Sequence, residues 1–129
     1  MPSRSFPIVG SYYHPPAQDL CSVLRAGTPL SVLAEPDNQH DQYAIAIWLN
    51  ARHITVDNFE AVDTILINFG QDLSAAQEAD DSWQLGYIKK EFAKILRQNF
   101  IVTVDGYMMG EFLRGNGGSP MVSISYPGL

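Results

Sequence analysis

Short apolar stretches separated by turn residues run along most of the chain, and their composition predicts strands. The stretches are rich in β-branched and aromatic residues and are bounded by Pro, Gly, Asn or Asp, which is typical of strands. They are SFPIVGSYYH (5–14), TPLSVLAEP (28–36), YAIAIWLN (43–50), WQLGYI (83–88), FIVTVDGYMMGEF (100–112) and PMVSISYP (120–127). Gly86 inside the fourth stretch indicates a bulge or a close approach of two backbones.

Other segments carry apolar residues at helical spacing. KKEFAKILRQN predicts a helix over residues 89–98 with Phe92, Ile95 and Leu96 on its inner face. Residues 57–70 form a second helical stripe with Asp57 as its cap, although a strand over DTILINF (63–69) also fits its β-formers. Residues 17–26 fit either a short helix or an irregular connection, and QDLSAAQEADDS (71–82) predicts a polar, mobile segment.

Six or so strands with one or two helices predict one mostly β domain, a small barrel. The length of 129 residues suits a single domain, here 1–129, and the 46% of apolar residues is an ordinary globular value. Strand alternation within 5–14 predicts that one of Tyr12 and Tyr13 lies in the core and the other outside.

The formal net charge of −6 argues against nucleic acid as a partner, but the acidity is local. Residues 57–81, called here the acidic segment, contain seven acidic and no basic residues. Eight basic and seven acidic residues remain outside it, a balance of +1, so the rest of the chain can still face phosphate.

Cysteine usage and hydropathy bear on the compartment. Cys21 is the only cysteine, so no internal disulfide forms, and we expect it to be a buried small hydrophobe in a cytoplasmic protein. No apolar run approaches the ~20 residues of a membrane span, and the first ten residues lack the apolar region of a secretory signal. We therefore expect no membrane association.

The turn EPDNQHD (35–41) places polar chemistry at the start of an apolar strand. Glu35, Asp37, His40 and Asp41 are types that bind hard metals, so a metal-dependent nuclease is one alternative. No second carboxylate cluster or catalytic motif accompanies them, and Asn and Asp commonly bond their own backbone in turns. We expect a non-catalytic chain with no cofactor and no metal.

Three pieces in order resemble the HIRAN domain family, which occurs at the N-terminus of DNA-remodelling helicases and as small bacterial and phage proteins. The pieces are FPIVGSYYH, LSVLAEPDNQHDQYAIAI and LGYIKKEFAKIL, which together span most of residues 5–98 apart from an acidic insert at about 51–83. The resemblance implies an OB-like β-barrel with a pocket for the 3′ end of single-stranded DNA.

The resemblance also implies the site residues. Tyr12 corresponds to a base-stacking aromatic, Asn38 and Asp41 to the pair that binds the terminal nucleotide, and Tyr87 and Lys90 to contacts with base and phosphate. Two positions depart from the family pattern, because Ser11 replaces an Arg and His40 replaces a Tyr. His40 still offers an aromatic face, with a charge that depends on pH.

Two function classes follow from the sequence. The first is a module that binds single-stranded DNA or its 3′ end. The second is an accessory subunit, as a monomer or a homodimer, of a larger nucleic-acid enzyme such as a helicase, nuclease or CRISPR effector, with the acidic segment as its docking surface. Because the acidic segment interrupts the family pattern, we expect its deletion to leave a folded barrel.

Overall fold

Six antiparallel strands close into a barrel in the computed structural model, which describes residues 2–126. The order around the barrel is β1-β4-β3-β2-β5-β6. The strands are β1 (Ser3–Val9), β2 (Pro29–Ala34), β3 (Ile45–Asn50), β4 (Ser82–Ile88), β5 (Tyr107–Arg114) and β6 (Pro120–Ser125). The predicted small, mostly β barrel is confirmed.

Alternate residues of these strands point inward and fill the barrel. The apolar run after the turn is a buried strand, as predicted, because Ile45, Ile47 and Leu49 of β3 are fully buried. Other strands contribute buried side chains to the same core, including Leu30, Val32, Leu85, Phe112, Val122 and Ile124.

Four α-helices lie between the strands, and the helix predicted over 89–98 is confirmed. They are α1 (Ala17–Val23), α2 (Val56–Ile67), α3 (Leu73–Glu78) and α4 (Lys90–Gln98). The inner face of α4 was partly mispredicted, because Ile95 is 49% exposed whereas Ala93 and Leu96 are buried. Ile95 lies about 100° around the helix from Leu96, so a face centred on Ala93 and Leu96 excludes it.

The structure corrects two expectations about the acidic segment. Its first part is helical, not a strand, but Thr55 rather than Asp57 holds the N-cap position of α2. Residues 71–82, predicted only as a polar, mobile segment, contain helix α3, which buries Leu73 and Ala76. The Asp72 carboxylate accepts a 2.8 Å hydrogen bond from Ala75 N, a cap that a helix start favours.

The acidic segment also belongs to the core, which argues against the expectation that it can be removed. Val62 and Leu66 of α2 and Leu73 and Ala76 of α3 all pack in the one hydrophobic cluster. Deleting residues 57–81 would therefore expose the part of the barrel and of α1 that these side chains cover.

The first strand is shorter than predicted, and this overturns the expectation about its tyrosines. Strand β1 ends at Val9, because Gly10 adopts a left-handed conformation and residues 11–13 form a 3₁₀ turn. Tyr12 and Tyr13 are 64% and 71% exposed, so neither lies in the core. The long stretch 100–112 likewise enters a strand only at Tyr107.

No helix within residues 2–126 has the length and apolarity needed to span a bilayer.

Candidate nucleic-acid interface

A pocket of about 280 Å³ opens at one end of the barrel. It lies between the turn 35–44, the ends of β1 and β4, and the first residue of α4. Five of the six predicted site residues meet there, and Tyr12 does not. The pocket is lined by Val9, Asn38, His40, Asp41, Ala44, Tyr87, Ile88 and Lys90.

Side-chain hydrogen bonds to the local backbone hold the turn in shape. Asn38 Oδ1 accepts hydrogen bonds from His40 N at 2.9 Å and Asp41 N at 3.0 Å. Asp41 Oδ1 accepts one from Tyr43 N at 2.9 Å. Asn38 therefore shapes the turn, whereas Asp41 Oδ2 has no hydrogen-bond partner among the described residues.

Glu35 connects the turn to the barrel, and the sequence did not single it out as a pocket residue. Its Oε1 atom accepts hydrogen bonds from Asn38 Nδ2 and from the Tyr87 hydroxyl, both at 3.0 Å. Tyr87 pairs with Ala46, so its side chain crosses β3 to reach Glu35. The small side chains of Ala44 and Ala46 leave room for this crossing. The acidic residue before Pro36 in the turn was the only sequence signal for this link.

The environment of Tyr87 keeps its hydroxyl neutral. Burial raises the pKa of Tyr87, and the hydrogen bond to Glu35 and the negative charge of that carboxylate raise it further, against a lowering contribution from Gln84. Tyr87 therefore lines the pocket as a neutral phenol whose hydroxyl already donates to Glu35.

The lysine and arginine side chains near the pocket differ in whether they already have partners within the protein. Lys90 lines the pocket and makes no ion pair with any described residue, whereas Lys89 pairs with Glu91 at 2.9 Å. Lys94 Nζ lies 5.9 Å from the centre of the Tyr43 ring, and Arg97 Nη1 donates a 3.0 Å hydrogen bond to Gln42 O. Helix α4 thus anchors the far side of the turn and leaves Lys90 available for an anion.

Gly86 brings the walls of the pocket together. Its φ of +148° and a register shift between Ile47 and Trp48 confirm the predicted bulge. A Cβ atom at this position would overlap the carbonyl oxygen of Val9, so the predicted close approach is confirmed too. Only glycine lets β4 approach β1 here with Val9 opposite Tyr87.

Comparison with known families agrees with this fold and this arrangement. The profile of the HIRAN domain family matches residues 3–110, more than four-fifths of the chain. The chain belongs to the HIRAN domain family. HIRAN domains are DNA-binding modules and are generally non-catalytic. No curated protein and no solved structure matches the chain.

In this HIRAN domain Tyr12 lies outside the pocket, in the 3₁₀ turn that follows β1. Its ring packs on that of Tyr13 with 4.1 Å between centroids, and a hydrogen bond with Tyr13 raises the pKa of Tyr12. Tyr12 lines a separate cavity of about 140 Å³ together with Phe69. His14 follows this tyrosine pair in the sequence, and the centre of its ring lies 6.0 Å from the centre of the Tyr87 ring.

The acidic residues and histidine of the turn do not form a group suited to hold a metal ion in the described part of this HIRAN domain. Two members of the set considered for a metal-dependent nuclease are engaged, Glu35 with Asn38 and Tyr87, and Asp41 with Tyr43. Within residues 2–126 no three His, Cys, Asp or Glu side chains are grouped so that they could hold a metal ion.

The only cysteine, Cys21, is buried as predicted, and burial raises the pKa of its thiol.

Proposed function

We propose that this HIRAN domain binds the free 3′ end of single-stranded DNA in the pocket and does no chemistry on it. The observation that carries this proposal is the combination of groups that line one cavity: the rings of Tyr87 and His40, a lysine that makes no ion pair with a described residue, and a carboxylate oxygen with no hydrogen-bond partner within residues 2–126. These are the groups that a single-strand end requires, namely stacking surfaces, a phosphate contact and an acceptor for the terminal hydroxyl.

Each residue has a distinct role in this proposal. Tyr87 and His40 stack on the terminal base, and Lys90 contacts the adjacent phosphate. Asp41 Oδ2 accepts a hydrogen bond from the 3′ hydroxyl, while Asn38 keeps the turn in its binding shape. A carboxylate beside DNA phosphate costs repulsion, so Asp41 favours an end that carries a donor.

The size of the pocket also supports an end-binding role. A volume of about 280 Å³ is at the small end of ligand pockets, which suits one terminal nucleotide better than a long strand. We place this binding in the cytoplasm, where one reduced and buried cysteine is ordinary.

The test compares short single strands that end in a 3′ hydroxyl or a 3′ phosphate, by fluorescence titration. We expect the native protein to prefer the hydroxyl end by about 1–3 kcal/mol, the scale of a lost hydrogen bond to a charged group. Asp41→Asn keeps the Oδ1 acceptor for Tyr43 N but replaces Oδ2 by a donor, so this variant should lose the preference. Asp37→Asn, an exposed change in the same turn, is the matched control. Equal binding of both ends by the native protein would contradict the proposal.

A second candidate function is that of an accessory subunit docking through the acidic segment. Val56 and Ile67 of α2 are exposed apolar side chains beside this acidity, which favours a protein contact. Several acids already have other partners: Asp57 pairs with Arg25, Asp63 accepts from Leu73 N, Asp72 caps α3 and Asp80 contacts Asn50 and Arg52. Sedimentation of the native protein and of Ile67→Ser tests this candidate, which requires self-association or a stable complex that the substitution weakens.

A further inference from the structure

A second cavity, larger than the pocket at about 510 Å³, forms a groove on the outer face of the barrel. Strand pairing places it along β5, because Glu111 lies opposite Pro29 of β2 and opposite Ser123 of β6, and Ser3 of β1 lies opposite Ser125. No residue lines both cavities. The groove is lined by Ser3, Pro29, His53, Met109, Gly110, Glu111, Ser123 and Ser125.

Gly110 contributes only its backbone to the groove, because its Cβ position faces the barrel core. A Cβ atom there would lie 2.7 Å from Val122 Cγ2 and 2.8 Å from Ser123 O, so no larger residue fits without a shift of the strands. Gly110 lies opposite the fully buried Leu30, and its Cβ position also lies 3.4 Å from Val32 Cγ2, so glycine lets β5 pack closely over the core beneath the groove.

The acidic and hydroxyl side chains of the groove make no ion pair or hydrogen bond with the part of the chain that the structure describes. Glu111 is the only Asp, Glu, Lys or Arg in the lining, and it makes no ion pair with any described residue. The hydroxyls of Ser3, Ser123 and Ser125 form no hydrogen bond with other side chains or backbone in residues 2–126. The groove therefore combines the Glu111 carboxylate and three hydroxyls that can accept hydrogen bonds with the His53 ring, whose Nδ1 atom is buried and has no hydrogen-bond partner among the described residues.

An apolar surface adjoins the groove at Met109. On the same outer face, Leu33 of β2 lies opposite Tyr107 of β5, and Ser31 lies opposite Met109. Tyr107 is 67% exposed, and Leu33 and Met109 are exposed as well. Exposed apolar side chains that are neighbours across strands are typical of a protein contact rather than of a solvated sheet.

Charge decides between the possible occupants. A phosphate-bearing strand would meet Glu111 and no Lys or Arg in the lining. A symmetric contact between two copies would bring two Glu111 carboxylates into one interface of chains that each carry −6. A cationic side chain has neither difficulty, because its donors match the carboxylate and the hydroxyls.

We propose that this groove docks a segment of a partner protein in which an arginine is flanked by apolar residues. The guanidinium group enters the groove and donates to Glu111 and the serine hydroxyls, and the apolar neighbours pack on Leu33, Tyr107 and Met109. The pocket and the groove share no lining residue, so both can be occupied at once.

The test uses a defined probe, the capped peptide acetyl-Leu-Arg-Leu-amide, with a matched peptide in which citrulline replaces arginine. Amide NMR titrations of the native protein should show shifts at residues 109–111 and 123–125, with roughly threefold to tenfold weaker binding of the citrulline peptide, the scale of a charged hydrogen bond in a partly exposed site. Glu111→Gln should abolish this discrimination. Glu78→Gln, which removes an exposed acid elsewhere, should keep it.

Several outcomes would overturn the proposal. These are equal binding of the two peptides, no shifts at saturating peptide, shifts confined to the pocket at residues 37–41, or a dimer that Glu111→Gln strengthens. Shifts of the groove by a single-stranded oligonucleotide would also overturn it. The 3′-end preference measured on the same Glu111→Gln protein is a separate readout, so failure of the groove and failure of the pocket remain distinguishable.

Discussion

Single residues at the pocket divide into those that shape it and those left free to bind. Asn38 forms hydrogen bonds within the turn, and Glu35 accepts hydrogen bonds from Asn38 and from the Tyr87 hydroxyl. Asp41 Oδ1 accepts a hydrogen bond from Tyr43 N, whereas Asp41 Oδ2 has no hydrogen-bond partner and Lys90 has no ion pair among the described residues. Asp41 Oδ2 and the Lys90 ammonium group can therefore each gain a hydrogen bond or an ion pair when a ligand binds.

Gly86 is the residue whose replacement should be felt most at the pocket. Gly86→Ala places a methyl group against the Val9 carbonyl in a backbone conformation that side chains rarely adopt. We expect a loss of at least about 2 kcal/mol in the free energy of unfolding, measured by urea denaturation. Gly106→Ala is the control, because nothing lies within 4 Å of its Cβ position, and its effect should stay within about 1 kcal/mol. Equal losses in both variants would show that the close approach of β4 to β1 carries no strain.

At the scale of elements, the acidic segment behaves as part of the domain. Helices α2 and α3 bury Val62, Leu66, Leu73 and Ala76, while Asp63 and Asp72 satisfy backbone N–H groups at the start of α3. Much of the segment's negative charge is therefore explained by helix capping and local ion pairs rather than by a partner.

A pair of neighbouring residues on α2 tests whether the segment supports the core. Leu66 is fully buried and Ile67 is 60% exposed, so they differ in environment but share a helix. Leu66→Ala should cost about 2–5 kcal/mol of unfolding free energy, and Ile67→Ala less than about 1 kcal/mol. Thermal and urea denaturation of the two variants measure this difference. Similar small losses in both would restore the view that the segment is a removable insert.

Elements with strong periodicity were predictable from sequence, and those set by tertiary contacts were not. The β-branched run of β3 correctly predicted a strand, and the apolar face of α4 correctly predicted a helix. In both segments burial of one face makes the apolar residues recur at the spacing of the secondary structure. The stretch 5–14 has the same β-forming composition throughout, yet the left-handed Gly10 ends the strand and sends Tyr12 and Tyr13 to the surface. Helix α3 was missed because only Leu73 and Ala76 of its six residues are buried.

The candidate site was predictable to a similar extent. The chemical types in the turn, with the family pattern, brought Asn38, His40, Asp41, Tyr87 and Lys90 to one pocket. Tyr12 was misplaced together with its strand. The bridge from Glu35 to Tyr87 joins residues 52 positions apart, and it depends on strand order and on the small Ala44 and Ala46 between them. Local sequence pattern does not contain that information.

At the scale of the whole molecule, the net charge of −6 sets how the protein meets DNA. Lys90 is the only basic side chain in the pocket lining, and Lys89 is neutralised by Glu91. Long-range attraction of a polyanion is therefore weak, and under the proposed function we expect binding to depend on the end of the strand rather than on its length.

This charge distribution predicts a shallow salt dependence of DNA binding. Each phosphate contact contributes about −0.7 to the slope of log affinity against log salt for single strands, so one or two contacts give about −0.7 to −1.4. Lys90→Gln should reduce the magnitude of the slope by about 0.7, because it removes the contact at the pocket. Arg52→Gln is the control, since Arg52 pairs with Asp80 outside the pocket and its loss should leave the slope unchanged. Fluorescence titrations of a short 3′-hydroxyl strand from about 25 to about 200 mM salt measure these slopes. A slope steeper than about −3, or one that Lys90→Gln leaves unchanged, would mean that DNA follows a basic track elsewhere on the barrel.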